Sequence, residues 1–475
     1  MGVIKRQGAK TLVVNYAGAI IGGLAVLFVY SSNDEIYGYA HWLFSTATLL
    51  MPVASLGVHA LIIKFYPAYT QTDKERFNGF LSLIIGLLVA AFLMFLLCWK
   101  LLSVHFYSYL RTEAMNYEIF KSYENYVLIL VFLFVALKFL SNQSANKLRI
   151  TIPNLIQQFG YKLFLPTLIL LYAYYDWTIH RFSWGMILFF AASTLLLIFY
   201  VYRLGGLRFA GIKRPYPQFS YIEMLKFSIY SIFNQIGSSL AMRIDSVMIP
   251  IILGSTTSNS YYVKAFFIAN FVEMPTRSLN QIASPILSKA WTDNNLEQIK
   301  SIYKKASQNL FAIGLYIFLG LWFCIDDLVK LSSDPESFPH IRMIFLFVGS
   351  AKLIDMLTSV NSYIIGYSRL YRYNLFFIVF LGLMNLFLNI KWIGDFGITG
   401  AAMASATSLF LFNLIKLLFI WKNFEMLPFT MSNLKATILA SAIFSLYFIT
   451  DFNFHPLINI LLKASLVSFL YLPIA

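Results

Sequence analysis

The sequence predicts an all-α polytopic membrane protein, and three observations carry that prediction. The first is composition: 59% of the 475 residues are apolar and only 12% charged, with a mean hydropathy of +0.70, whereas soluble chains are about 25% charged. The second is that the apolar residues gather into runs long enough to cross a bilayer as helices, which takes roughly 20 residues. The third is that lysine and arginine sort to one side of those runs, as they do in membrane proteins. A β-barrel is excluded, because the runs are about twice the length of a membrane strand and do not alternate.

Fourteen runs are expected to be spans: 11–31, 38–63, 80–99, 125–145, 152–175, 183–202, 227–254, 261–286, 308–324, 341–365, 373–391, 398–421, 436–450 and 457–475. The fifth opens amphipathically, with Asn154, Gln157, Gln158 and Lys162, and the thirteenth is short. Twelve spans, with the last pair interfacial, is the alternative count. Lys5, Arg6 and Lys10 precede a first run of full span length with no small-residue cleavage site after it, so that run is expected to stay as a helix. With the N-terminus inside, 21 of the 36 lysines and arginines fall on cytoplasmic segments and 7 on external ones, counting Arg342 and Lys391 at the external ends of their runs. Both termini are therefore expected in the cytoplasm. The loops are too short for a soluble catalytic domain, and Cys98 and Cys324 offer neither a metal spacing nor a disulfide framework.

An internal echo organises the runs. MPVASLGVHALIIK in the second and MPTRSLNQIASPILSK in the eighth align with an offset of 223, pairing Met51/Met274, Pro52/Pro275, Ser55/Ser278, Leu56/Leu279, Ala60/Ala283 and Ile63/Ile286. A weaker echo pairs Asn15 and Gly18 with Asn234 and Gly237. Span n then corresponds to span n + 6, and two six-helix lobes in parallel repeat is an architecture used by secondary transporters. The expected division is a first lobe at 1–203, a linker at 204–226, a second lobe at 227–422, and two added helices at 423–475. Proline inside a helix deletes a hydrogen bond and bends it, so Pro52 and Pro275 are candidate kinks for gating.

Ionisable groups at membrane depth cost at least ~2.5 kcal/mol each and mark cavities or partners. The spans carry Lys138, Lys162, Arg243, Lys264, Arg277, Lys352, Lys416 and Lys463 against Asp245, Glu273 and Asp355. Lys264, Lys416 and Lys463 lie near span ends, where long side chains reach the interface. Glu273 with Arg277 (i,i+4), and Lys352 with Asp355 (i,i+3), are spaced to neutralise each other on one helix face. Arg243 and Asp245 (i,i+2) point in different directions, so at least one needs a partner elsewhere. Lys138 and Lys162 sit in a lobe whose spans hold no acid, and His59 faces the same question, although a lone histidine is also a common packing residue. The inference is a positive, wet cavity between the lobes for a phosphate or carboxylate, with Arg243 and Arg277 the better phosphate ligands because guanidinium binds bidentately. Asp245, then Glu273 and Asp355, are the ion-coupling candidates, since a buried carboxyl is readily driven between protonation states.

DFGITGAAMASATSLFLFNLIKLLF at 395–419 resembles the twelfth-helix signature of the polysaccharide transporters of the MATE-like (MOP) flippase superfamily. RIDSVMIPIILG at 243–254, YYVKAFFIANFVEMPTRSLNQIASPILSKAW at 261–291, and the opening TLVVNYAGAIIGGLAVLFVYSSNDEIYGYAHW extend the resemblance over essentially the whole chain. It implies a Wzx-type O-antigen or capsule flippase of the bacterial inner membrane. In such proteins two six-helix lobes rock about a cationic cavity and carry an undecaprenyl-diphosphate-linked oligosaccharide, with no cofactor. The resemblance puts the diphosphate on Arg277 and Arg243, with Lys138 and Lys162 as further cations, and the lipid tail against the last two helices. Peptidoglycan-precursor flippases of the superfamily usually carry a cationic cluster in their first two helices, whereas 17–60 here holds no Lys or Arg, only His41 and His59. Competing readings are a MATE-type antiporter of a small amphiphile and a membrane glycosyltransferase or polymerase. The latter would have to draw its catalysis from His105, Arg111, Glu113, Glu118 and Glu124 in the 100–124 stretch.

Overall fold

The computed structural model describes residues 17–71, 79–112, 118–207, 220–332, 337–447 and 454–472. The basic residues 5, 6 and 10, the start of the first run, most of the 204–226 linker, and Glu113 lie outside them. Secondary structure among the described residues is helical throughout, as bilayer-crossing backbone requires, since it has no water to satisfy its N–H and C=O groups. The described part of each expected run falls on a helix: α1 (Ala17–Ser32), α2 (Asp34–Ala54) and α3 (Val58–Gln71), α4 (Phe80–Thr112), α5 (Glu118–Asn146), α6 (151–174), α7 (Ile179–Arg203), α8 (Tyr221–Leu253), α9 (Thr256–Thr292), α10 (Leu296–Lys330), α11 (Phe338–Thr358) and α12 (Asn361–Tyr367), α13 (373–396), α14 (398–424), α15 (Met431–Leu446) and α16 (Pro456–Tyr471). By length and apolarity six helices qualify to cross a membrane, or up to eight if each bent pair is one span, among the described residues. The molecule is an all-α polytopic membrane protein.

Three of these runs depart from straight helix, each for a local reason. The second is broken between α2 and α3 and bent by 63°. Leu56 and Gly57 take positive φ there (47° and 68°), and a Cβ on Gly57 would lie 2.6 Å from the Ser228 carbonyl oxygen, so only glycine lets α8 approach so closely. Carbonyls near the break are taken up by side chains: Ser228 Oγ donates to Leu56 O at 2.6 Å and Asn142 Nδ2 to His59 O at 2.9 Å. The tenth run bends by 46° between α11 and α12. Runs eleven and twelve form one unbroken helical stretch except at Gly397, whose φ of 61° and ψ of −144° are non-helical. The side chains of Asn385 and Ser405 nevertheless hydrogen-bond at 3.3 Å. Twenty residues of straight helix would hold them about 30 Å apart, so the chain reverses at Gly397 and α13 packs back on α14.

The fifth run is α-helical at its two ends and π-helical over Leu155–Phe159, the amphipathic stretch that sets it apart in sequence. Gln157 Nε2 donates to Ser141 Oγ at 2.6 Å there. The extra residue of a π-turn resets the helix register and is common at functional sites.

The chain divides into two compact units, Met1–Thr257 and Ser258–Ala475. In the first, α2 packs on α5 and α8, α5 on α7, and α3 on α5. In the second, α10 packs on α11, α15 and α16, and α11 on the α13–α14 hairpin. Lipid tails are as apolar as leucine, so close packing and internal polar contacts rather than water exclusion hold such helices together.

Candidate functional site

In the first unit the site residues gather around α2, α5, α6 and α8. Arg243 on α8 lies over the ring of Phe44 on α2, 5.2 Å from its centroid. Phe44 stacks on Tyr161 (5.3 Å, 27°) and meets Phe134 edge-on at 5.2 Å, while Tyr161 stacks on Phe190 at 5.7 Å. The guanidinium therefore sits among aromatic walls, with His41 and Tyr161 as electrostatic neighbours. The Tyr161 hydroxyl is buried and has no hydrogen-bond partner among the described residues. Arg243 makes no ion pair among them either. Cation–π contact uses the guanidinium face and leaves its fork of N–H donors in plane, which is the geometry that grips an oxyanion.

This aromatic wall is absent from the sequence-derived candidates, yet Tyr37, His41 and Phe44 stand at i, i+4 and i+7, one stripe on α2. Tyr37 carries the stripe onward, meeting His41 edge-on at 4.7 Å and stacking on Tyr30 at 4.0 Å. A stripe of that kind is more often core, which is why it carries no functional signal until a cation is found against it.

Lys138, also in the first unit, is exposed on α5 and acts electrostatically on His59. His59 itself is buried. Its Nδ1 lies 3.0 Å from Ser55 Oγ, and Gln235 hydrogen-bonds its side chain. Ring and carbonyl together brace the α2–α3 break. Lys162 lays its stem against α1: a Cβ on Gly18 would lie 3.1 Å from Lys162 Cδ and 3.2 Å from Nζ. Asp245 is buried.

The second unit arranges its charges differently, and two sequence expectations are overturned. Glu273 on α9 does not pair with Arg277 on its own helix; it forms an ion pair and hydrogen bond with Lys352 on α11. Asp355 does not pair with Lys352 on its own helix either. Its Oδ1 accepts from Asn413 Nδ2 on α14 at 3.1 Å, and Asn413 Oδ1 in turn accepts from Thr358 Oγ1 at 2.9 Å and Asn361 Nδ2 at 3.2 Å. Asn413 thereby bridges the α11–α12 break. Helix spacing permits the same-helix pairs, but the charged faces turn inward, where a partner on the facing helix is closer and drier. Arg277 is left exposed on α9, without a carboxylate partner among the described residues.

Lys264, Lys416 and Lys463, expected to reach the interface, are also placed otherwise, at 1%, 1% and 4% exposure. Lys416 donates to Ser362 Oγ and lies over Phe412 at 4.3 Å. Lys463 Nζ pairs with Asp327 Oδ2 at 2.6 Å, and Asn459 Nδ2 donates to Asp327 Oδ1 at 3.1 Å. Asp327 appears external in the sequence, but α10 runs on to Lys330 and buries it against α16.

The candidate kinks also differ. The break follows Pro52 by three residues, whereas α9 continues as helix through Pro275 and through 278–280, the residues equivalent to 55–57. Gly57 corresponds to Asn280, which lacks glycine's access to positive φ.

A membrane protein of helices alone, with one arginine in an aromatic wall and lysine–carboxylate pairs in its other unit, is thus defined by its own geometry. Its fold is shared with flippases and transporters of the MOP superfamily. A structure described as lipid II flippase MurJ in an inward closed conformation matches with a TM-score of 0.71 at 16% identity, covering 98% of this chain and 98% of that one. An inward-facing multidrug resistance MATE family transporter of the MOP superfamily matches with a TM-score of 0.58 at 14% identity, covering 90% and 95%. No family model matches the sequence, and no curated protein matches it.

Proposed function

We propose that the chain is a flippase that carries an undecaprenyl-diphosphate-linked oligosaccharide, an O-antigen, capsule or exopolysaccharide repeat unit, across a bacterial inner membrane by alternating access. The observation that carries the reading is Arg243: a cation inside a spanning helix, walled by Phe44 and Tyr161, with no carboxylate to neutralise it among the described residues. Such a charge is unfavourable unless an anion or water reaches it, and a diphosphate supplies the oxygens for bidentate hydrogen bonds. Arg277 and Lys138, both exposed, offer further phosphate ligands, with Lys162 beside α1. His59 then positions the broken helix rather than gripping cargo.

On this reading the chain has fourteen spans: two six-helix lobes, 1–203 and 227–422, joined by 204–226 and followed by two helices at 423–475, with both termini in the cytoplasm; six to eight of the described helices already qualify by length and apolarity. Asp245, Glu273 and Asp355 are the groups through which an ion gradient would act, and the breaks near Pro52 and at α11–α12 are the places where helices bend. The buried carboxylates also suit an ion-coupled antiporter of a small amphiphile; a cationic cargo, however, would be repelled by Arg243.

The test is charge removal. Arg243→Ala and Arg277→Ala, made separately and inserted at wild-type levels, are expected to reduce surface polysaccharide and the flipping of the lipid-linked oligosaccharide in proteoliposomes by about tenfold or more, the scale of a lost charged hydrogen bond. Unchanged polysaccharide in both variants sinks the cationic-site reading.

A further inference from the structure

Away from Arg243, the first unit holds a cavity of about 270 Å³ where α2 and α5 begin and α8 ends. Its walls include Tyr39, Tyr123 and Tyr172, and Glu35 and Glu118 face into it with Ser122. Tyr39 meets Tyr123 edge-on at 4.9 Å, and its hydroxyl is held by Ser183 Oγ at 2.7 Å. That leaves the rings fixed as walls. Glu35 lies close enough to act electrostatically on Tyr123 and Tyr172. Neither Glu35 nor Glu118 forms an ion pair among the described residues.

Acids in a first helical turn offset the helix dipole, and that alone would explain Glu35 and Glu118. It does not explain why both open onto one aromatic-walled cavity. Among the described residues no lysine or arginine lines it, which leaves it unsuited to an anion. No cluster of three or more acidic, histidine or cysteine side chains suited to a metal exists among the described residues. The volume lies below the ~300 Å³ at which drug-sized pockets begin. A sugar ring meets each condition. Its C–H faces carry partial positive charge and seat on the negative faces of aromatic rings, while its hydroxyls donate to carboxylates, which only accept.

We infer that this cavity binds one saccharide unit, a neutral hexose or N-acetylhexosamine. The assignment deepens the flippase reading and rests on it for the source of the sugar. With the N-terminus in the cytoplasm the cavity opens on the external side, where the glycan of a translocated lipid arrives. Tyr123 and Tyr172 seat the ring, and Glu35 and Glu118 accept from its hydroxyls.

The full chain in lipid nanodiscs, probed by saturation-transfer difference NMR with methyl glucoside, galactose and N-acetylglucosamine, tests this directly. At least one sugar is expected to receive transfer. Glu118→Gln, which keeps the shape, is expected to weaken it about tenfold, and Tyr123→Ala to abolish it, whereas Tyr123→Phe retains the ring and the binding. Absence of transfer to all three sugars, or transfer unaltered by both Glu118→Gln and Tyr123→Ala, overturns the site. So does displacement of a bound sugar by calcium or a diamine with no dependence on Tyr123. Arg243→Ala separates the two readings. If sugar binding is absent while transport stays sensitive to Arg243, only the saccharide site falls; if sugar binding persists while transport ignores Arg243, the cationic flippase site falls instead.

Discussion

The two units solve the same problem, charge inside a membrane, in opposite ways. The second pairs carboxylates across helices, Glu273 with Lys352 and Asp327 with Lys463, while Asn413 holds Asp355 and Arg277 stays exposed. The first leaves Arg243 against aromatic faces without a carboxylate among the described residues. Paired charges are satisfied and serve as glue between helices, whereas an unpaired cation keeps its hydrogen-bond donors available. The contrast teaches that the number of buried charges says little about function, whereas the presence or absence of a partner says much.

Breaking the most deeply buried pair should have the largest effect. Asp327→Asn strands Lys463 and is expected to cost about 3–5 kcal/mol, read as thermal unfolding in detergent by tryptophan fluorescence. The double change Asp327→Leu with Lys463→Met should recover most of the loss, because matched apolar groups replace a buried pair well. Failure to recover would mean that the pair does more than hold α10 to α16.

The two segments that the sequence echo aligns offer the next comparison. Gly57→Ala forces a side chain into positive φ and onto the Ser228 carbonyl, at a cost of about 1–3 kcal/mol. The equivalent Asn280→Ala, in continuous helix, should stay within ~0.5 kcal/mol. Equal losses would argue that the break at 55–57 matters no more than the helix at 278–280.

A third pair of variants sharpens the contrast itself. Lys352→Ala leaves Glu273 without its cation and should cost about 1–2 kcal/mol, less than at Asp327 because the pair is partly exposed. Arg243→Ala strands no carboxylate and should cost only about 0.5–2 kcal/mol, the scale of the lost cation–π contact, while transport falls. A large stability loss at Arg243 would recast it as a structural cation. The smallest effect is expected at Gly18→Ala, about 0.5 kcal/mol or less, because the methyl meets only the flexible end of Lys162; the same unfolding measurement checks it.

Much of the fold is legible in the sequence, because a membrane span is a local property: about 20 apolar residues make a helix whatever surrounds them. The turn at Gly397 is legible as the gap between runs eleven and twelve, whereas Gln157 and Gln158 mark the fifth run as amphipathic without announcing its π-helical turn. Arg243, Arg277, Lys138 and Lys162 are legible as candidates because charge at membrane depth is rare. Partners are a different matter. Helical spacing proposes Glu273 with Arg277 and Lys352 with Asp355, but spacing counts only neighbours on one helix, whereas the faces of α9, α11 and α14 turn toward each other. Lys416 and Lys463 read as interfacial from their place near span ends, and only the packing of α12 and α16 shows the polar groups that hold them inside. The aromatic wall around Arg243 draws Phe44, Phe134, Tyr161 and Phe190 from four helices. The sequence by itself determined which segments are helices and where charge is costly. The tertiary structure alone decided which charges are neutralised, because in a medium without water a charge takes whatever partner the facing helix brings within reach.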